Sequence, residues 1–262
     1  MQEIDIQSAS DLLWRRWTDG TVIDALPEAM RPSSRAEGYA IQARLMARTA
    51  KPLFGWKIAA TSLAGQKHIN VDGPMAGRIL AERVVADGAT LALGPNRMRV
   101  AEAEFAFRMA RTLPPRATPY TAADVLAAIG TLHPAIEVPD SRYTDFTKVG
   151  EAQLIADNAC AHQFMLGAAT DHDWRAMDLA AHPVSGTIAG RDVRHDGKGA
   201  NVLGGPLIAM TWIANELSRI GIGLKAGEIV TTGTCVVPLP LQASDEAVAD
   251  FGVLGRVSLK LV

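Results

Sequence analysis

Residues 100–109 read VAEAEFAFRM and carry the clearest strand pattern in the chain. Because side chains alternate along a strand, one face carries Ala101, Ala103, Phe105 and Phe107, and the other carries Glu102 and Glu104. Two carboxylates at positions i and i+2 lie close enough to hold one cation. The alternative is a solvated strand face with two unrelated glutamates, since repulsion between exposed like charges costs little in water.

A third acid, Glu137, favours the cation. It lies in the apolar stretch PAIEVPD, which we expect to be largely buried. A buried carboxylate without a partner is costly, and a cation shared with Glu102 and Glu104 removes that cost. Three oxygen ligands without cysteine or histidine favour a hard ion such as Mg²⁺, Mn²⁺ or Ca²⁺. Such a site leaves positions open for water or substrate.

Two other segments carry candidate site residues. Lys57 lies inside the strand-like run FGWKIAATS. It either extends its ammonium to solvent or places a cation beside the metal, where it could bind a carboxylate or move a proton. The loop Thr231–Cys235 offers hydroxyls and amides that could hold a carboxylate, although capping hydroxyls in a turn are the commoner case.

The remaining pattern predicts an α+β fold with many short strands. Residues 1–50 are predicted to be helical, and residues 151–160 are predicted to form a further helix. Asp196–Gly197 is predicted to be the turn between two strands. Regular alternation of strands and helices is absent, which argues against a doubly wound parallel sheet.

Composition excludes several protein classes. The net charge is −2 without a basic patch, so nucleic acid is not an expected partner. No apolar stretch is long enough to span a membrane, and the start of the chain does not resemble a secretory signal. Cys160 and Cys235 form neither a disulfide framework nor a zinc motif, so we expect a cytoplasmic protein.

Eight short motifs along nearly the whole chain resemble, in this order, the 2-keto-4-pentenoate hydratase group of the fumarylacetoacetate hydrolase superfamily. They are GYAIQARL, GWKIAATS, AEAEFAF, PAIEVPDSR, IADNACAHQFMLG, GGPLIAMTWIANEL, LKAGEIVTTGT and ADFGVLGRVSLKLV.

The resemblance implies one fumarylacetoacetate hydrolase-like domain over residues 1–262. This would be a β-rich roll of mixed sheets with flanking helices, with a helical N-terminal segment of about residues 1–50 and a catalytic core of about residues 52–262. It implies a homo-oligomer whose substrate is a small 2-oxo acid. Glu102, Glu104 and Glu137 are implied to bind Mg²⁺ or Mn²⁺, and Lys57 to be catalytic; Thr61, Ser62 and Thr234 are predicted to bind substrate.

The implied function is metal-dependent addition of water to a 2-hydroxy-2,4-dienoate, giving a 4-hydroxy-2-oxo acid in the breakdown of aromatic compounds. One departure weighs against plain hydration: Met75 stands where these hydratases usually carry aspartate. The alternatives are, in order, a decarboxylase of a 2-oxo-3-enedioate, an acylpyruvate C–C hydrolase and a non-catalytic partner subunit, because fold alone does not fix the reaction.

Overall fold

A computed structural model describes all 262 residues as an α+β structure, which confirms the predicted fold class. The α-helices are α1 (Glu3–Asp19), α2 (Arg35–Ala43), α3 (Leu63–Ile69), α4 (Ala122–Ala128), α5 (Glu151–Ala156) and α6 (Pro206–Arg219). The strands are β1 (Gly55–Ala59), β2 (Met75–Ile79), β3 (Val84–Val85), β4 (Thr90–Leu91), β5 (Val100–Met109), β6 (Ile129–Val138), β7 (Gln163–Leu166), β8 (Pro183–Ile188), β9 (Val193–Lys198), β10 (Ile229–Thr234), β11 (Leu239–Pro240), β12 (Glu246–Asp250) and β13 (Arg256–Leu261).

The strands form two mixed sheets. The larger has the order β2-β1-β10-β5-β6-β7-β3, with β11 also paired to β5, and the smaller has the order β4-β13-β12-β8-β9. β1 pairs with β10 in parallel, although about 170 residues separate them, whereas β5 pairs antiparallel with β10 and β6. The large sheet therefore joins segments from both halves of the chain.

β5 lies at the centre of the large sheet, and most of its residues are buried. Phe105 packs edge-to-face against Phe251, with ring centroids 4.9 Å apart. The opposite face of the strand, which carries Glu104, is also covered, because Glu104 is fully buried. The alternating pattern of β5 thus separates an apolar core from a buried polar site.

Two helices precede the first strand. α1 ends at Gly20, whose φ of 66° is the left-handed conformation typical of a helix C-terminus, and Ser34 caps α2 by accepting a hydrogen bond from Glu37 N. No helix combines the length and the apolar composition that a membrane span requires. That the chain is a single domain stays a prediction.

Three local predictions are wrong. The segment Thr231–Cys235, predicted to be a loop, belongs to β10 as far as Thr234. The helix predicted over residues 151–160 stops at Ala156, and Asn158–Cys160 turn away with positive φ. Asp196 and Gly197 lie within β9, while the chain reverses between Ile188 and Val193. Gly197 is needed for close packing instead, since a Cβ there would lie 2.0 Å from Cys235 O.

Candidate metal centre and active site

Glu102, Glu104 and Glu137 converge on one face of the large sheet. Glu102 lies directly opposite Glu137 in the antiparallel pair β5–β6, so both side chains point the same way, and Glu104 follows two positions along β5. One ligand oxygen from each carboxylate lies within 4.8 Å of the other two. Glu104 and Glu137 are only 0% and 2% exposed. The alternative of a solvated strand face is therefore wrong.

Glu104 Oε1 is buried and accepts no hydrogen bond, and the buried Glu137 Oε2 has only the Lys57 ammonium, 3.1 Å away, as a partner. The other oxygen of Glu104 accepts hydrogen bonds from Gly233 N, at 2.8 Å, and from the Thr231 hydroxyl. Buried acceptors without donors are costly, and a cation among the three carboxylates would satisfy them. The all-oxygen donor set fits a hard divalent ion.

Burial and mutual repulsion oppose ionisation of the three carboxylates. Burial, followed by the charge of Glu137, raises the pKa of Glu102 to about 7. Burial likewise raises the pKa of Glu104 and of Glu137, although the Lys57 ammonium counteracts the effect on Glu137. A divalent cation would reverse these shifts, because its charge favours the ionised carboxylates.

Lys57 adds a fourth charged group to the site. Its Nζ lies 3.1 Å from Glu137 Oε2 in an ion pair and donates a hydrogen bond to Ala159 O at 3.0 Å. Burial opposes its charge, but the neighbouring carboxylates, Glu137 first, raise the pKa of Lys57 above its usual value. The side chain is only 3% exposed, so the alternative in which it reaches solvent is wrong.

The carbonyl that holds Lys57 belongs to a turn of unusual conformation. Asn158, Ala159 and Cys160 have φ angles of 56°, 50° and 60°, a left-handed conformation that non-glycine residues rarely adopt in succession. The Asn158 amide fixes this turn to β2, since Nδ2 donates to Arg78 O at 2.8 Å and Oδ1 accepts from Arg78 N at 2.6 Å. A Cβ at Gly77 would lie 2.5 Å from Asn158 O, so the turn packs directly against the β2 backbone.

A buried ion pair anchors the start of the same turn. The Arg142 guanidinium donates to the Asp157 carboxylate and also to the carbonyl oxygens of Asp140 and Asp157. The Ser141 hydroxyl donates to Asp157 at 2.7 Å. Burial raises the pKa of Asp157, and Arg142 opposes that shift. No local pattern indicated this pairing, because Arg142 lies in the polar segment DSRYTD, 15 residues before Asp157.

The three predicted substrate-binding hydroxyls lie in different surroundings. Thr61 is buried against Gly233, where a Cβ would lie 2.3 Å from Thr61 Oγ1. Ser62 is exposed and caps α3 by accepting a hydrogen bond from Gly65 N. The Thr234 hydroxyl donates to Val236 O at 2.8 Å. Their role in substrate binding stays a prediction.

Comparison with known proteins identifies the family. No protein-family model matches the chain. However, the 2-keto-4-pentenoate hydratase 1 of Dechloromonas aromatica is 31% identical over 258 residues, covering 97% of this chain and 96% of the relative. The chain belongs to the 2-keto-4-pentenoate hydratase family.

Other members and a solved structure extend this relationship. The 2-hydroxyhexa-2,4-dienoate hydratase of Comamonas testosteroni is 34% identical over 205 residues, covering 77% of this chain and 75% of the relative. The 4-oxalocrotonate decarboxylase of Pseudomonas putida G7 has a TM-score of 0.90 and 25% identity, covering 100% of this chain and 99% of the decarboxylase. That decarboxylase was solved with magnesium and adipate, and also with calcium and acetate. A divalent cation therefore fits both the relative and the carboxylate cluster described here.

Met75, the departure from the hydratase pattern, lies next to the site. It pairs with Ala59 across β1 and β2, just as Gly77 pairs with Lys57 two positions along. Directly opposed residues share a face, so Met75 lies on the same side of the sheet as Lys57. The residue is 1% exposed. A thioether thus occupies the place of a potential proton carrier.

Proposed function

We propose that this member of the hydratase family is a divalent-metal-dependent hydro-lyase acting on a 2-hydroxy-2,4-dienoate. Water would add its hydroxyl at C4 and a proton at C5 of the substrate, and loss of the enol proton from the C2 oxygen with protonation of C3 would complete the conversion to a 4-hydroxy-2-oxo acid. The observation that carries this proposal is the cluster of three converging carboxylates beside Lys57, in which the buried Glu104 Oε1 has no partner and Glu137 Oε2 has only the Lys57 ammonium.

Glu102, Glu104 and Glu137 would hold Mg²⁺ or Mn²⁺. The ion would supply positive charge that stabilises negative charge developing on the 2-oxo acid. Gly233 N and the Thr231 hydroxyl keep the Glu104 carboxylate in place through its other oxygen. Since no cysteine or histidine belongs to the cluster, a hard ion is preferred over zinc.

Lys57 would bind the substrate through the part of its ammonium that the protein leaves free. An ammonium has three N–H donors. Ala159 O takes one, and Glu137 lies beside the group as its counter-charge. A further N–H can therefore meet an oxygen of the substrate where negative charge accumulates, an interaction that is strong in a site that excludes water.

Thr61, Ser62 and Thr234 are proposed to contact the rest of the substrate. A cytoplasmic homo-oligomer is proposed from the family resemblance.

A second candidate function is decarboxylation of a 2-oxo-3-enedioate. Met75 favours it, because a thioether cannot move the protons that hydration requires. The overall similarity to the 4-oxalocrotonate decarboxylase supports it as well. Both reactions use stabilised charge on the 2-oxo group, so the same carboxylates and Lys57 serve either one.

A substrate panel separates the two functions. Purified protein is incubated with 2-hydroxypenta-2,4-dienoate, with a 2-oxo-3-enedioate and with an acylpyruvate, each with and without Mg²⁺ or Mn²⁺, and products are identified by NMR. We expect metal-dependent water addition to the dienoate. Release of CO₂ without water addition would establish the decarboxylase instead, and no turnover of any substrate would contradict both.

A further inference from the structure

A second cavity, of about 360 Å³, lies at the C-terminal end of α1. Its walls come from α1, from the loop after β4, from the loop after β6 and from the start of β7. None of the three carboxylates or Lys57 lines it. A wider groove of about 930 Å³ runs along α6 and is likewise separate from the carboxylate cluster. The smaller cavity is distinguished by its charge.

Four arginines line this cavity, and three of them have no carboxylate partner. Arg142 is paired with Asp157, but no carboxylate oxygen lies within 4.0 Å of the guanidinium nitrogens of Arg16, Arg83 or Arg97. The two acids in the walls do not neutralise them: Asp19 is exposed, and Asp140 accepts a hydrogen bond from Arg97 N rather than from its side chain.

Two residues of the cavity wall carry buried polar atoms without partners. Arg16 Nε has no acceptor, and Gln163 Oε1 has no donor. Arg16 Nη1 donates only to the Thr21 hydroxyl, at 3.1 Å. Buried polar groups without partners are rare and call for a bound water, ion or ligand. The Arg16 donor beside unpaired positive charge points to an oxyanion, whereas Gln163 Oε1 calls for a donor such as a water bound with that anion.

Trp17 holds the positive groups together. The guanidinium carbons of Arg83 and Arg142 lie 4.9 and 4.5 Å from its ring centroid, and its Nε1 donates to His162 Nδ1 at 2.8 Å. Neutral His162 must therefore carry its proton on Nε2, a donor that no protein group accepts. Burial, and after it the charge of nearby Arg142, lower the pKa of Arg83.

We propose that this cavity binds a small, multiply charged oxyanion, either phosphate or a dicarboxylate. Arg16 and Arg83 would provide the principal contacts, with Arg97 at the exposed edge. Planar guanidinium groups bind both kinds of oxyanion through paired hydrogen bonds. The volume accommodates either ion together with several waters, each of which occupies about 30 Å³.

The test is isothermal titration calorimetry of the whole protein in Mg²⁺ at constant ionic strength, with inorganic phosphate in one arm and malonate in the other. We expect saturable binding in at least one arm. Because each charge-assisted hydrogen bond contributes substantially, Arg83→Gln and Arg97→Gln should each raise Kd, Arg83→Gln by at least about tenfold. Arg97 is exposed, so its variant tests the site even if Arg83→Gln fails to fold.

Two controls locate the binding. Arg256→Gln, at another exposed arginine, should leave Kd unchanged. Glu104→Gln should also leave it unchanged; loss of binding in that variant would place the anion in the metal centre and overturn the proposal. Absence of saturable binding in both arms would overturn it as well. Sedimentation velocity provides the last test. If Arg83→Gln forms a smaller assembly than the wild type and no anion binding is seen, the cavity is a contact with a second copy of the chain and the proposal is overturned.

Discussion

At the scale of single residues, Lys57 depends on two acceptors that come from distant parts of the chain, Glu137 and Ala159. We expect Lys57→Met to lower kcat by about 10² or more, because the site loses a cation placed in a water-excluded pocket. The change in thermal stability should be small by comparison once Mg²⁺ is bound. Lys148→Met, at a lysine 81% exposed, is the matched control and should retain the wild-type rate. An unchanged kcat in Lys57→Met would make Lys57 a structural residue.

Met75 is interpreted as an apolar wall of the site. Met75→Leu keeps its volume and hydrophobicity, so we expect a loss of less than about 1.5 kcal/mol in the free energy of unfolding. Turnover should stay within about threefold of the wild type, since neither side chain transfers protons. Chemical denaturation and steady-state kinetics measure the two quantities. A folded Met75→Leu protein without activity would show that the thioether itself takes part in the reaction.

At the scale of elements, the left-handed turn Asn158–Cys160 fixes the carbonyl that holds Lys57. Asn158→Ala removes both hydrogen bonds to the Arg78 backbone and leaves two buried groups without partners. We expect it to lower stability by about 3 kcal/mol and also to lower kcat. Asn70→Ala is the matched control, because Asn70 has a φ of 54° but is exposed at the end of α3. That variant should cost about 1 kcal/mol and leave kcat unchanged. Equal losses in the two variants would contradict a specific role for the turn.

Sequence alone predicts some elements much better than others. The pattern of β5 is local, so the strand and the shared face of Glu102 and Glu104 could be predicted from alternation. The end of α5 could not, because Asn158 turns the chain by bonding to Arg78, a residue 80 positions earlier. The turn predicted at Asp196–Gly197 was wrong for a similar reason, because Gly197 lacks a side chain so that the strand can pack against Cys235. Where a distant segment decides the local conformation, periodicity and propensity carry no signal.

At the scale of the whole molecule, we expect half-buried His162 to make stability depend on pH. Burial first, then Arg142 and Arg83, lower its pKa to about 3 from a usual value of 6.5. The unfolded chain therefore binds more protons between pH 6.5 and about 3, and folding stability falls as pH decreases through this window. The contribution of His162 to the free energy of unfolding is fully present above pH 6.5, and at most about 3 kcal/mol of it is lost by pH 4.

The comparison of wild type with His162→Asn isolates this effect. Asparagine can still accept the hydrogen bond from Trp17 Nε1, but it does not titrate. We therefore expect urea denaturation in chloride buffers to show a flatter pH profile for the variant between pH 7 and 4. Parallel profiles for the two proteins would contradict the assignment to His162.

The assembly of the large sheet is the part of the fold that the sequence did not predict. The resemblance implied a roll of mixed sheets, but nothing local indicates that β1 pairs in parallel with β10. This pairing matters for function, because it places Lys57 on the strand next to β10, whose Thr231 and Gly233 hold Glu104. The three carboxylates could be predicted because two are neighbours on one strand and the third lies in an apolar stretch.

The central claim is that Glu102, Glu104 and Glu137 hold the divalent cation on which water addition depends. The most direct test titrates metal-stripped wild type and Glu104→Gln with Mn²⁺, follows binding by electron paramagnetic resonance and measures turnover of 2-hydroxypenta-2,4-dienoate in the same samples. We predict one bound Mn²⁺ per wild-type chain, activity that rises with occupancy, and a variant that stays folded but binds at least about tenfold more weakly and is inactive. Full turnover by Glu104→Gln without added metal would contradict the claim.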